Sequence, residues 1–300
     1  MSLPVVVATD FSPSARVALG HAARIASARK CPLHVISVID SDPVASMASS
    51  VPMSREEVDK QVIARGRMLL ERELHDAGIP GAASEAHRHV SIGRPGRRLV
   101  EECERLGAGL LVVGYHGKTE RVERGPGTVA QRCVRHAPCD VLLTRRDRPE
   151  AFKRVVVGVD FSSASVAVVA RGAEMASASG ADLVLLHAYS DPFESLGYMG
   201  LGLGVEQPIP LADYSRTLRG DLEGIADKLR QSSSAVARTE VLLDTHHGRA
   251  ISDWCNANHA DLTVVGTLGK PGLRYWLLGS TAEYVLKETH SAVLAVRQAE

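Results

Sequence analysis

The chain repeats itself. Val5-Val6-Val7-Ala8-Thr9-Asp10-Phe11-Ser12 returns 150 positions later as Val155-Val156-Val157-Gly158-Val159-Asp160-Phe161-Ser162. Gly114-Tyr115-His116-Gly117, nine residues and then Gly127-Thr128 return as Gly266-Thr267-Leu268-Gly269, nine residues and then Gly279-Ser280. A duplication on this scale restricts the chain to two copies of one fold. The 300 residues fit that reading, since domains of about 150 residues each bury a core of their own. The expected domains are residues 1–146 and 152–300, joined by the charged stretch Arg145-Arg146-Asp147-Arg148-Pro149-Glu150.

Within each copy, strand-like and helix-like segments alternate. Pro4 to Thr9 is a β-branched run that reads as a strand buried on both faces. Ser12-Pro13 opens a helix, with Ser12 as N-cap and Pro13 in the first turn. Leu33 to Ile39 is a second strand, and Asp40 to Met53 reads as a loop. Ser54 and Glu57 form a capping-box pattern before a long helix ending near Ala77-Gly78. Ala83 to Val90 is predicted as a strand, Arg97 to Arg105 as a helix, Leu110 to Val113 as a buried strand, Val129 to Arg135 as a helix and Val141 to Thr144 as the last strand. The second copy follows suit, with strands at 154–159, 183–187, 237–243, 262–265 and 293–296. This order predicts an α/β fold with a parallel sheet in each copy and helices on both faces. Residues 190–210, rich in Gly and Pro, read as a loop.

The glycines carry the chemistry. Gly266 ends a strand, and ligands of open parallel sheets bind beyond strand carboxyl ends. Gly266 and Gly269 let the backbone approach a phosphate closely. Gly279-Ser280 precedes a helix whose unpaired N–H groups and positive dipole end suit an anion, with the Ser280 and Thr281 hydroxyls as added donors. A single G-x-x-G would be an ordinary turn; the doubled pattern after a strand points to phosphate. Asp160, like Asp10, follows the first strand of its copy, where a carboxylate can accept from ribose hydroxyls or cap the next helix as an Asx turn.

These residues resemble the universal stress protein family, as two tandem domains over nearly the whole chain. The G-x2-G-x9-G-[ST] pattern of its ATP-binding members is present in full in both copies. The opening strand with Asp and a nearby Ser, and Gly93-Arg94-Pro95 before a helix, are also similar. The resemblance implies two Rossmann-like domains, each a five-stranded parallel sheet, binding ATP or a related adenine nucleotide, with or without Mg2+. It implies that Asp10 and Asp160, beside Thr9 and Val159, meet the ribose and that Val38 lies near adenine. Gly114, Gly117, Gly127 and Thr128 in one copy, and Gly266, Gly269, Gly279, Ser280 and Thr281 in the other, would hold phosphates. The last strands of the copies would pair into an intramolecular pseudo-dimer, with further homodimerisation open. The role implied is a stress-response regulator rather than a fast enzyme, with room for slow ATP hydrolysis. Between Gly117 and Gly127 the chain carries Glu120 and Glu123, whereas the second stretch ends in Trp276-Leu277-Leu278. The second copy is therefore the expected better site.

Other classes fit less well. The 35 basic and 35 acidic residues cancel without a single-sign block, so neither nucleic acid nor an anionic membrane is an expected partner. No apolar run reaches membrane-spanning length, and no secretory leader is evident. Five cysteines without C-x-x-C read as reduced thiols of a cytoplasmic protein, with Cys133 and Cys139 packed rather than redox-active. Gly117-Lys118-Thr119 does not end a Walker A loop, because position 112 is Val. Gly200, Gly202 and Gly204 neither follow a strand nor open a helix, so they are not a dinucleotide fingerprint. No metal site is expected among His187, His246, His247, His259 and His290, which lack ligand spacing. No catalytic triad is recognisable. Two alternatives stay open: an interaction module of the same fold without nucleotide, and a ligand or metal carrier.

Overall fold

The computed structural model describes residues 2–77, 86–118, 125–145, 151–192, 210–232, 237–267 and 278–297. The chain divides into two compact units, Met1–Glu150 and Ala151–Glu300.

The first unit runs β1 (Val5–Ala8), α1 (Pro13–Arg29), β2 (Leu33–Asp40), α2 (Ser41–Ala48), α3 (Arg55–Asp76), β3 (His87–Gly93), α4 (Pro95–Leu106), β4 (Leu110–Gly114), α5 (Thr128–His136) and β5 (Asp140–Thr144). Its strands lie in the order β3-β2-β1-β4-β5, every neighbouring pair parallel. The order reverses between β1 and β4, and such a switch point opens a crevice at the strand carboxyl ends. The central strands explain why the sheet is covered. Val5, Val6, Val7, Leu110, Leu111 and Val112 are fully buried, so each strand needs helices on both faces. Right-handed crossovers put α1 and α3 on one face and α4 and α5 on the other. Accordingly α1 packs on β1 and β4, α3 on β2 and β3, and α4 on α5.

Local chemistry sets the helix ends. The Ser12 hydroxyl accepts from the Ala15 amide at 3.1 Å with Pro13 in the first turn of α1. At α3, Ser54 and Glu57 close the capping box in both directions. Gly107 stops α4 with φ +60°, a conformation open to glycine without strain. The segment read as a loop after β2 contains α2 instead. Asp40 caps it by accepting from the Asp42 amide, Pro43 sits in a turn that needs no N–H from it, and Val44 is buried. The strand predicted from Ala83 is observed from His87; residues 78–85 lie outside the described set.

The second unit repeats the plan: β6 (Arg154–Gly158), α6 (Ser165–Ser179), β7 (Asp182–Tyr189), α7 (Leu211–Ser232), β8 (Ala237–Leu243), α8 (His247–Ala257), β9 (Leu262–Gly266), α9 (Ser280–Glu288) and β10 (Ala292–Val296). Its parallel order is β8-β7-β6-β9-β10. Most of the predicted loop at 190–210, the linker at 146–150 and residues 268–277 lie outside the described set.

Helix α6 presses on β6 through a residue without a side chain. A Cβ on Gly172 would lie 2.2 Å from Val157 Cγ2, a β-branched methyl in the core. Gly172→Ala should therefore destabilise the protein by about 1–3 kcal/mol through overpacking, despite alanine's better helix propensity. Denaturant unfolding checks this; unchanged or raised stability would contradict the packing.

Candidate nucleotide-binding site

The first site begins where β1 ends. The Thr9 amide still donates to Ile36 O at 2.9 Å. The chain then turns sharply, with Phe11 at φ +65°. Asp10 organises the turn. Its Oδ1 accepts from the Ser12 amide at 3.0 Å, and its Oδ2 accepts from the Lys118 amide at 2.8 Å. One carboxylate thus holds the β1–α1 turn to the segment after β4. Gly117 makes that approach possible, since a Cβ there would lie 2.9 Å from Asp10 Oδ2. Gly114 serves similarly one turn earlier: its Cβ would fall 2.8 Å from Ser14 Cβ and 2.9 Å from the Ser14 carbonyl carbon.

The far wall is the start of α5. Gly127 is its N-cap and donates to Tyr115 O at 2.8 Å. No side chain caps the helix, so the amides of its first turn have no capping side chain as partner. Those amides and the helix dipole face a cavity of about 690 Å³. Thr9, Asp10, Val38, Gly114, Gly117, Gly127 and Thr128 all border it. So do residues that sequence reasoning did not single out. Ile36 and Asp40 flank Val38 at the period-two spacing of β2, and Pro95 and Leu99 come from α4. The cavity has an apolar end at Ile36, Val38 and Leu99 and an amide-rich end at Gly117 and Gly127.

Glu73 was also missed. It occupies a buried position on α3 beside Leu70 and Leu74, where an apolar residue would be ordinary. Thr9 Oγ1 donates to its Oε2 at 2.7 Å, while the buried Oε1 makes no hydrogen bond among the described residues. Burial raises its pKa above the usual carboxylate range; Thr9, Arg16 and Lys118 pull the other way, and Asp10 adds to the rise. A carboxylic acid raised on folding stabilises the fold fully below its unfolded pKa and loses that contribution as pH climbs through the folded value.

The second unit repeats the layout with other contacts. Val159 N donates to Leu186 O, and Phe161 takes φ +56°. Asp160 Oδ1 accepts from the Ser162 amide and from the hydroxyls of Ser162 and Ser165 at 3.0, 2.6 and 2.5 Å. Burial pushes the Asp160 pKa up, but these donors outweigh it and hold it below its usual value. Gly279 caps α9 and donates to Thr267 O at 2.9 Å, the counterpart of the Gly127–Tyr115 bond. Val159, Asp160, Gly266, Gly279, Ser280 and Thr281 border a cavity of about 170 Å³. Gly269 lies outside the described residues. Of these two cavities the one in the first unit is the larger, and residues 268–277, between Gly266 and Gly279 of the second, lie outside the described set.

Among the described residues, no three ligating groups form a ready metal cluster, and no helix is long and apolar enough to cross a membrane. No disulfide joins the cysteines; Cys133 and Cys139 are buried, and burial pushes the Cys133 pKa up to about 12.

The chain matches the universal stress protein family twice, over residues 1–145 and 151–297, and so belongs to that family. It is 28% identical to universal stress protein Rv2623 of Mycobacterium tuberculosis, covering 99% of this chain and 97% of that one. Universal stress protein Rv1996 of the same organism is 27% identical, with 99% and 95% covered. Among solved structures, a universal stress protein from Archaeoglobus fulgidus shares the fold with a TM-score of 0.65 at 16% identity, covering 99% of this chain and 97% of that chain.

Replacing Glu73 by Gln keeps an acceptor for Thr9 and removes the titration. The wild type should lose stability relative to Glu73→Gln as pH rises above the ordinary carboxylate range, the gap widening until Glu73 is ionised. Urea unfolding of both proteins between about pH 4 and 8 reads this; parallel profiles would contradict it.

Proposed function

We propose that this protein is an ATP-binding, stress-response regulator whose main nucleotide site is the cavity of the first unit. The observation that carries the reading is the convergence of Asp10, Gly117 and the uncapped start of α5 on one cavity with an apolar end. The base packs against Val38 and Ile36. The ribose meets Asp10, whose oxygens keep acceptor capacity beyond the two backbone bonds. The phosphates take the Gly117 amide and the first-turn amides of α5 from Thr128 onward, helped by the α5 dipole. Mg2+ would be held chiefly by the phosphates, and the Thr128 hydroxyl on the cavity wall could add a ligand. The second unit offers a narrower site of the same plan at Gly266, Gly279, Ser280 and Thr281.

Asp10 joins two backbone segments, which suits a group that reports occupancy rather than one that moves protons. ATP in the cavity would tie the β1–α1 turn, the segment after β4 and α5 together, and signalling follows from that tightening rather than from turnover. Cysteines outside any disulfide suit a reducing cytoplasm.

Gly127→Glu puts a carboxylate where the phosphates would sit. It should weaken ATP binding at least tenfold, about 1.4 kcal/mol, in calorimetric titration with Mg2+ present. Gly279→Glu should affect only a second, weaker phase. Unchanged ATP affinity in Gly127→Glu would refute the placement.

A further inference from the structure

Three imidazoles lie near the amino-terminal ends of β2 and β3, on the sheet face that Ile36 shares. Register pairs His34 of β2 with His87 of β3, and Ile36 with His89. Paired residues of parallel strands point the same way, and residues two apart on a strand share a face. His34, His87 and His89 therefore form one cluster on β3, the edge strand of its unit, and its neighbour β2. His34 Nδ1 lies 3.0 Å from His89 Nε2. The His34 ring stacks on His87 at 4.6 Å and lies 5.2 Å from His89.

That nitrogen separation fits a hydrogen bond between two neutral imidazoles. It also fits two ligands of one ion, because Zn–N bonds of about 2.0–2.1 Å at angles from square to tetrahedral leave the nitrogens about 2.8–3.4 Å apart. Arg105 and Glu102 of α4 face the rings. Arg105 is partly neutralised by the same Glu102, whose Oε2 accepts from Arg105 Nε at 2.8 Å. The fold itself does not require imidazoles here. The matching positions of the second unit are Val184, Arg238 and Glu240.

We propose that His34 Nδ1 and His89 Nε2 are two ligands of a borderline transition-metal dication, with Zn2+ as its natural probe, and that His87 rotates in as the third. As placed, no three groups converge on one point, so the exposed His87 side chain has to turn and water completes the shell. Imidazole ligands select ions of the zinc, copper and nickel kind over Mg2+ or Ca2+. The Arg105 charge opposes the ion, so the site binds reversibly rather than as a permanent structural centre. His87-Arg88-His89, a His-x-His on a strand, is the sequence signal for it.

The test is Zn2+ titration of the full chain at neutral pH against a competing chromogenic chelator. The wild type should bind one more equivalent than the His34→Gln/His89→Gln double variant, and each single variant should weaken that equivalent at least tenfold. A wild type that takes up no Zn2+, or a double variant that matches it in stoichiometry and affinity, would overturn the proposal. Imidazole NMR signals of the wild type give a reading that does not depend on the variants folding. Zn2+ should shift those of His34 and His89, and unshifted signals would overturn the site.

Discussion

The carboxylate of Asp10 is the joint on which the first site depends. It receives one amide from the turn that starts α1 and one from the segment leaving β4. Those segments follow neighbouring parallel strands at the switch point, where the sheet has no further strand to hold them together. A charged acceptor suits the position, because bonds to ionised groups are stronger than neutral ones. Gly117 is a consequence of the joint, since a side chain there would collide with the carboxylate oxygen. The floor of the cavity, its amide-rich end and the cap of α5 follow from where these two segments are held.

Much of the fold was legible. Fully buried valine and leucine runs mark strands of a covered parallel sheet, and Ser12-Pro13 and the Ser54–Glu57 pair mark helix starts that the hydrogen bonds bear out. The short helix α2 was not legible, because serines, Asp42 and Pro43 look like loop composition until Asp40 is seen to cap them. The candidate site residues follow from backbone requirements, which glycines report well. Its apolar end was harder, because Ile36 and Leu99 are ordinary core residues by type and only the cavity between β2 and α4 makes them wall. Glu73 had a fainter signal, a charge in the buried stripe of α3.

The two copies keep their backbone logic and diverge in side chains. Asp10 and Asp160 sit at matching positions, yet the first bonds across to the segment after β4 while the second has serine hydroxyls of its own turn as partners. The β2 position Ser37 is His187 in the second copy, bonded to the preceding strand end. The histidines of the first sheet edge are absent from the second. Two copies of one fold can diverge in this way because function lives in side chains grafted on the fold.

The account stands or falls on whether ATP occupies the cavity of the first unit. The most direct measurement is amide hydrogen exchange of the full chain with and without saturating ATP and Mg2+, followed peptide by peptide. Protection should concentrate at residues 9–12, 114–118 and 125–131, which the nucleotide would tie together. ATP binding that leaves those segments unchanged and protects others would contradict it.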